Sequence, residues 1–164
     1  MICKRHIYVA LVIFFGTATS INSQTQKIMQ TETISKEQQD VLSTIESMTQ
    51  SFNDKDIEGV MTSYESGALV VFEPNTKISD FTVLREMFLG AFQINPKFEY
   101  PKGHEVFVNG DSATHIAPWI MTGTAPDGTK IVQEGLSMVN LSRQKNGGWL
   151  ITFDNPHGNF LMNN

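Results

Sequence analysis

Residues 113–154, ATHIAPWIMTGTAPDGTKIVQEGLSMVNLSRQKNGGWLITFD, contain three apolar segments that are separated by two short turn sequences. The turns, PDG at 126–128 and NGG at 146–148, contain residues that tolerate a positive φ angle. The segments are rich in β-branched and aromatic residues, which favours strands. Because tight turns join consecutive strands in opposite directions, this part of the chain predicts an antiparallel meander. Its predicted strands are 113–123, 130–142 and 149–154.

The sequence before the meander predicts helices. Ser35 and Gln38 form a capping box at a helix start, and an apolar stripe with helical spacing follows over 41–52. Asp56 is the expected cap of a short second helix that extends through Tyr64. Helices that precede a meander are typical of an α+β fold, with the helices laid across one face of the sheet.

A strand and a third helix are predicted between these two parts. The apolar run 68–72 is the expected first strand, closed by Glu73 and Pro74. Ser79 or Asp80 is the expected cap of the third helix. Two further short strands are expected at 98–100 and 105–108.

The N-terminus has the pattern of a secretory signal peptide. Lys4 and Arg5 precede the uncharged apolar run 7–15, which is too short for a permanent membrane span, and small residues follow up to cleavage candidates Ser20 and Ser23. An uncleaved anchor is the alternative. We expect an exported protein, periplasmic or secreted. The predicted organisation is a signal peptide at 1–23, a disordered lead-in at 24–34 and a single domain at 35–164.

Composition limits the partners of the processed chain. Removal of residues 1–23 leaves ten basic against 17 acidic residues, a net charge of about −7. An acidic chain is poorly suited to nucleic acid, and no basic amphipathic segment suggests membrane binding after signal cleavage. The single cysteine, Cys3, precedes the apolar run, which disfavours a lipoprotein and leaves the mature chain without thiols.

Three strings resemble the nuclear transport factor 2-like superfamily in its SnoaL-like and ketosteroid-isomerase-like branch. They are SFNDKDIEGVMTSYESGALVVFEP (51–74), NGDSATHIAPWIMTGTAPDG (109–128) and NGGWLITFDNPHG (146–158), and the resemblance covers about residues 37–160. It implies an α+β cone, in which a curved antiparallel sheet wraps around the N-terminal helices and a pocket opens at the wide end. It also implies a homodimer that pairs through the sheet.

The same resemblance argues against ketosteroid isomerisation. That branch uses a general-base Asp-Pro after the first strand and an oxyanion hole made of a Tyr and a neutral Asp. Glu73 and Pro74 match the Asp-Pro if one extra strand residue is allowed, but Met48 stands where the Tyr would be and Ser137 where the acid would be. Each lost oxyanion donor lowers the rate on the order of a hundredfold.

Two acidic residues are the candidate catalytic groups. Glu73 ends an apolar strand, where desolvation at a pocket mouth would raise its pKa and suit it to proton transfer. Pairing with a basic residue or full solvation is the alternative. Asp154 ends the last strand and, with His157 three residues later, would suit acid–base work. The string NPHG also favours a simple turn, the interpretation we prefer, with Asp154 still able to point into the cone.

Five residues are candidate ligand-binding groups. His115 and Trp119 share a strand face with small residues between them, which leaves room for a ligand against the indole ring. A core-packed Trp and a satisfied His are the alternative. Pro118 between them suggests an edge position or a bulge. The full candidate set is Tyr64, His115, Trp119, Asn155 and His157.

No metal or cofactor is predicted. The four histidines lack metal-site spacing, and only a long-range meeting of His104, His115 and Glu134 would supply ligands. The sequence has no glycine-rich phosphate loop and no serine elbow.

The sequence therefore predicts an exported small-molecule-binding domain for an apolar or aromatic ligand. Its expected chemistry, if any, is cofactor-independent proton transfer or hydration with Glu73 or Asp154 as base. The alternative is a non-enzymatic dimeric interaction module whose cone is filled by its own side chains. A cavity of roughly 300 Å³ that holds a buried carboxylate would favour the first hypothesis, and a filled cone with an apolar outer sheet face the second.

Overall fold

Residues 34–162, the part of the chain that the computed structural model describes, fold into three α-helices and a seven-stranded sheet. The predicted signal peptide 1–23 and all of the lead-in except Ile34 lie outside the described residues. The helices are α1 (Lys36–Asn53), α2 (Ile57–Thr62) and α3 (Phe81–Ala91), and a 3-10 helix, Phe92–Ile94, continues α3. The strands are β1 (Tyr64–Glu73), β2 (Thr76–Ile78), β3 (Lys97–Glu99), β4 (Glu105–Asn109), β5 (Ser112–Thr124), β6 (Lys130–Arg143) and β7 (Trp149–Asn155).

The helix starts confirm the predicted caps. Ser35 and Gln38 form the full capping box at α1, Asp56 caps α2, and Asp80 rather than Ser79 caps α3. Each cap satisfies backbone N–H groups that the first turn leaves without a helical partner. No helix in the described range is long and apolar enough to span a bilayer.

The helices pack on one face of the sheet, as predicted. The apolar stripe of α1 is buried through Val41, Ile45 and Phe52, and this helix contacts β3, β4, β5 and β7. Helix α3 buries Leu84 and Phe88 and contacts β1 and β2. The helices therefore line the concave side, where the core forms.

The start of β1 differs from the prediction. Tyr64 does not belong to the second helix, because α2 ends at Thr62 and Tyr64 pairs with Ile151 of β7. The strand is longer than the predicted 68–72. Gly67 has a φ of 85°, and the register shifts between Tyr64 and Leu69. This irregularity breaks the alternation of buried and exposed residues from which strands are recognised.

The sheet is mixed rather than wholly antiparallel. The strand order is β2-β1-β7-β6-β5-β3, with β4 also paired to β5. The meander β5-β6-β7 is antiparallel as predicted, and Gly128 and Gly147 take positive φ angles in its two turns. The contact of β1 with β7 is parallel. The strand β2, which the sequence did not predict, forms a hairpin with β1.

Pro118 lies where the sheet locally has an edge. The pairing of β5 with β6 passes through Pro118 and Leu136 without a register shift, so no bulge is present there. On the other side of β5, β3 pairs with 120–122 and β4 with 112–116. The proline therefore falls in the gap between these two strands, where no ladder requires its missing N–H.

Candidate functional site

A cavity of about 290 Å³ lies between the concave face of the sheet and helices α1 and α3. Its wall is mainly apolar and includes several aromatic rings. The rings of Phe88, Phe92 and Phe98 surround Phe52 in edge-to-face contacts, with centroids 5.1–5.7 Å apart. Edge-to-face packing of this kind gives a rigid apolar wall. The aromatic residues that line the cavity are Phe52, Tyr64, Phe72, Phe88, Phe98, Tyr100 and Trp119.

Trp119 is held against the sheet by two contacts. Its indole Nε1 donates a hydrogen bond to the carbonyl of Pro156 at 2.9 Å. The ring also lies on the backbone at Gly135, where an added Cβ atom would be only 2.6 Å from Trp119 Cζ2. Glycine is therefore required at this position for the ring to pack as it does. These contacts position the predicted ligand-binding indole at the cavity wall.

Asp154 supplies a buried carboxyl group to the cavity. It is 8% exposed, and its Oδ2 accepts a hydrogen bond of 2.6 Å from the hydroxyl of Tyr64. Burial raises the pKa of Asp154 to about 6, against the opposing effects of the Tyr64 hydrogen bond and of His157. Burial and the adjacent carboxylate also raise the pKa of Tyr64 well above its usual value. Asp154 is thus a group that gains and loses a proton near neutral pH.

A β-bulge turns Asp154 toward the cavity. Trp149 and Ile151 face inward, so strict alternation would put Phe153 inward and Asp154 outward. The pairing with β6 shifts between Leu141↔Ile151 and Asn140↔Phe153, which inserts one extra residue into β7. Asp154 consequently pairs with the inward-facing Val139. Bulges re-aim side chains in this way at functional sites.

Two further hydroxyl groups lie at the polar end of the cavity. Burial raises the pKa of the Tyr100 phenol to about 12, and Asp154 acts in the same direction. The Thr49 Oγ1 atom is buried, and its interaction with the Tyr100 hydroxyl opposes this rise in pKa. Both residues line the cavity. The sequence prediction missed them because a threonine on the first helix and a tyrosine after a short strand carry no local signal.

Glu73 occupies the rim of the cavity, not its interior. It lines the opening but is exposed to solvent. The desolvated carboxyl group that the sequence suggested at Glu73 is found at Asp154 instead. The physical reason is that Glu73 is the last residue of β1, next to the turn into β2, where the sheet no longer covers it.

His115 faces inward as predicted but does not line the cavity. It is fully buried, and its Nε2 lies 2.9 Å from Nδ1 of His104. Burial, reinforced by His104, lowers the pKa of His115 to about 4. Glu134, the third predicted metal-ligand candidate, is exposed and pairs with Ile120. Within residues 34–162 no three potential ligands come close enough to hold a metal ion.

Asn155 and His157 have different roles. Asn155 does not line the cavity; its Oδ1 accepts a hydrogen bond of 3.0 Å from the backbone N–H of His157 and so forms the turn that NPHG favours. His157 does line the cavity, and its Nε2 lies 3.1 Å from the carbonyl oxygen of Phe72. Asp154 and His157 are therefore close but share no hydrogen bond.

Met48 and Ser137 both line the cavity. The alignment of the sequence with the isomerase pattern placed these residues where the oxyanion-stabilising Tyr and Asp would stand. A thioether and a serine at these positions do not reproduce that pair. The acidic and phenolic groups of this cavity come from Asp154, Tyr64 and Tyr100 instead, at other places in the fold.

The fold and the site together define an α+β domain whose curved sheet and helices enclose an aromatic pocket with one buried acid. More particularly, residues 34–162 have the nuclear transport factor 2-like fold.

Comparison with solved structures supports this assignment. A nuclear transport factor 2-like superfamily protein from Salmonella enterica matches with a TM-score of 0.66 and 14% identity, over 74% of this chain and 92% of that one. A ketosteroid isomerase-like protein from Erwinia carotovora atroseptica matches with a TM-score of 0.61 and 16% identity, over 74% of this chain and 95% of that one. An NTF-2-like protein of unknown function from Shewanella oneidensis matches with a TM-score of 0.57 and 11% identity, over 71% of this chain and 94% of that one. No protein-family model and no curated protein matches the chain.

Proposed function

We propose that this domain binds a small apolar or aromatic molecule in the cavity and that Asp154 accepts a proton or a hydrogen bond from it. The observation that carries this proposal is a buried carboxyl group inside an aromatic-lined cavity of about 290 Å³. Known ligand pockets begin at about 300 Å³ and are mostly apolar with a few convergent polar groups. A ligand of one or two rings fits this size.

The chemistry that the site supports is cofactor-independent proton transfer or hydration. A base is most effective when its pKa lies near the working pH, and the pKa of Asp154 is about 6. Tyr64 orients the carboxylate through Oδ2. The Tyr100 hydroxyl, which also lines the cavity, is the candidate donor to an oxygen on which negative charge develops. Glu73 at the rim is the second candidate base.

The filled-cone alternative is less well supported, because the cavity is open. The outer sheet face nevertheless exposes Phe107, Val132 and Met138, which are 57%, 71% and 37% exposed. We propose that this face joins two copies of the chain, which would shield these side chains from water. Light scattering of the processed protein is expected to give a dimer, and Val132→Lys a monomer; a monomeric wild type would contradict the proposal.

Export is likewise proposed, on the basic start and apolar run of residues 1–23. Native mass spectrometry of protein purified from the exported fraction tests export and binding together. We expect a chain that begins at Ile21 or Gln24 and carries a small apolar molecule. A chain of full mass would contradict signal cleavage.

A cavity-filling variant tests binding directly. Ser137 is buried and lines the cavity, so Ser137→Phe places a ring in the ligand volume. Ser43→Phe on the exposed face of α1 is the matched control. A panel of one- and two-ring aromatic compounds, screened by ligand-observed NMR, is expected to bind wild type and Ser43→Phe but not Ser137→Phe. The absence of any binder to folded wild type would refute the proposal.

A further inference from the structure

We propose that the ligand of this cavity carries a cationic amine on its aromatic or aliphatic body, and that Asp154 is the counterion of the ammonium group. The inference rests on the proposed function and adds the chemical class of the ligand. Its basis is a cavity that holds carboxyl groups and aromatic rings but, within the described residues, no lysine or arginine.

The charge of the cavity lining is mainly negative, and His157 is the one basic side chain among its lining residues in 34–162. Asp154 lies inside and Glu73 at the rim, and no lysine or arginine lines the cavity in residues 34–162. The basic side chains of the described ion pairs are engaged elsewhere. These pairs are Lys36 with Asp40, Arg85 with Glu58, Lys97 with Glu99, and Arg143 with Glu37 and Asp111. A negatively charged ligand would therefore meet repulsion, and a cation would meet attraction.

Asp154 has unused hydrogen-bonding capacity. An ionised carboxylate accepts several hydrogen bonds, yet only Oδ2 receives one from a described residue, the Tyr64 hydroxyl. Buried charges in proteins are generally paired with an opposite charge. The titratable groups around this carboxylate are Tyr64, Tyr100 and His157, with Glu73 at the rim, and the two tyrosines are neutral at physiological pH. An ammonium group donates three hydrogen bonds and would complete the carboxylate shell.

The walls suit a cation as well as they suit an apolar body. The ring centroid of Phe88 lies 5.8 Å from that of Tyr64 and 5.8 Å from that of Phe72. Aromatic rings near a buried acid stabilise organic cations through their π-electrons. A neutral alcohol would satisfy one hydrogen bond of Asp154 but would bring no positive charge to it.

The test compares three probes with one skeleton: 2-phenylethylamine, 2-phenylethanol and 3-phenylpropanoate. Their affinities for the processed protein are measured by isothermal titration calorimetry at pH 7.5. We expect the amine to bind about tenfold or more tightly than the alcohol, the ratio that a charge-assisted hydrogen bond provides. Of the three probes, 3-phenylpropanoate is expected to bind most weakly.

Asp154→Asn separates the charge from the shape of the site. Asparagine keeps the volume and can still accept the Tyr64 hydrogen bond. We expect this variant to bind the amine no better than the alcohol, because the charge that distinguishes the two probes is gone. Ser43→Phe on the exposed face of α1, outside the cavity, is expected to leave the affinities for the amine and the alcohol unchanged.

Proton release gives an independent readout. An ammonium group that pairs with Asp154 stabilises its ionised form, so binding near pH 6 should release protons, measured as a dependence of the binding heat on the buffer's ionisation enthalpy. Binding of the alcohol should release no protons. Equal affinity of alcohol and amine, or equal losses of both in Asp154→Asn, would overturn the cation proposal and leave the binding function standing. Failure of all three probes and of the wider aromatic panel would overturn both.

Discussion

The buried carboxyl group of Asp154 should make the protein less stable at neutral pH than it would be with an uncharged residue there. The pKa of Asp154 is about 6 in the folded protein, against an ordinary value of 3.8. Because the folded pKa is the higher one, the neutral acid is favoured by folding and the ionised form by unfolding. The stability that Asp154 contributes is complete below pH 3.8 and is lost as the pH rises through 6.

The size of this effect follows from the pKa shift. One pKa unit corresponds to 1.36 kcal/mol, so full ionisation lowers the free energy of unfolding by about 3 kcal/mol. Asp154→Asn removes the ionisation, and its amide oxygen can still accept the hydrogen bond from Tyr64. At pH 8 the variant should be more stable than wild type by up to about 3 kcal/mol. At pH 3.5 the two proteins should be nearly equally stable.

Urea denaturation followed by tryptophan fluorescence measures this difference across pH 3.5–8. The wild-type-minus-variant difference is the quantity of interest, because contributions of other groups, His115 included, cancel when the sites are independent. Glu73→Gln is the matched control, since Glu73 is exposed and its change should stay within about 0.5 kcal/mol. An Asp154→Asn protein no more stable than wild type at pH 8 would refute the reasoning.

Three further perturbations test other parts of the structure. The pKa of His115 falls to about 4 in the fold, so stability should decrease as pH drops from 6.5 towards 4 by about 3 kcal/mol, and His115→Gln should flatten that dependence in urea titrations. Gly135→Ala would place Cβ 2.6 Å from the Trp119 ring, so we expect a loss of about 1–3 kcal/mol and weaker aromatic ligand binding, whereas Gly148→Ala should retain ligand affinity. Ser35→Ala removes the side-chain half of the capping box at α1 and should cost about 1 kcal/mol in thermal unfolding; no change would show that this helix end contributes little.

The sequence predicts most of the architecture because its strongest signals are local. The turns around Gly128 and Gly147 require positive φ angles, and they fix the hairpins of β5, β6 and β7 to within about one residue at each strand end. The Ser35 capping box places the start of α1 equally well. In contrast, β1 is misplaced at its start, because Gly67 and the register shift after Tyr64 interrupt the alternating pattern. The parallel pairing of β1 with β7 joins residues that are distant in the sequence, so no local sequence pattern predicts it.

The candidate site is predicted less completely, for related reasons. Asp154 and Trp119 are identified from the sequence, but the orientation of Asp154 depends on a bulge that only the pairing of β7 with β6 reveals. His115 shares the inward face of β5 with Trp119, as alternation requires, yet it lies against His104, outside the cavity. Alternation assigns a side chain to a face of the sheet. It does not say where along that face the helices leave space.

The same bulge distinguishes a cavity from a filled core in physical terms. Regular alternation in β7 would turn Phe153 inward, and an apolar ring would then occupy the place of the carboxyl group at no electrostatic cost. The extra residue instead buries Asp154, which lowers stability at neutral pH and leaves the Oδ1 atom without a partner among the described residues. Gly135 similarly lacks a side chain, and the Trp119 ring occupies the space that a Cβ atom would take. A domain that served only to pack its own core or to pair through its outer face would need neither feature. Their convergence on one cavity is the strongest physical argument that the cavity is used.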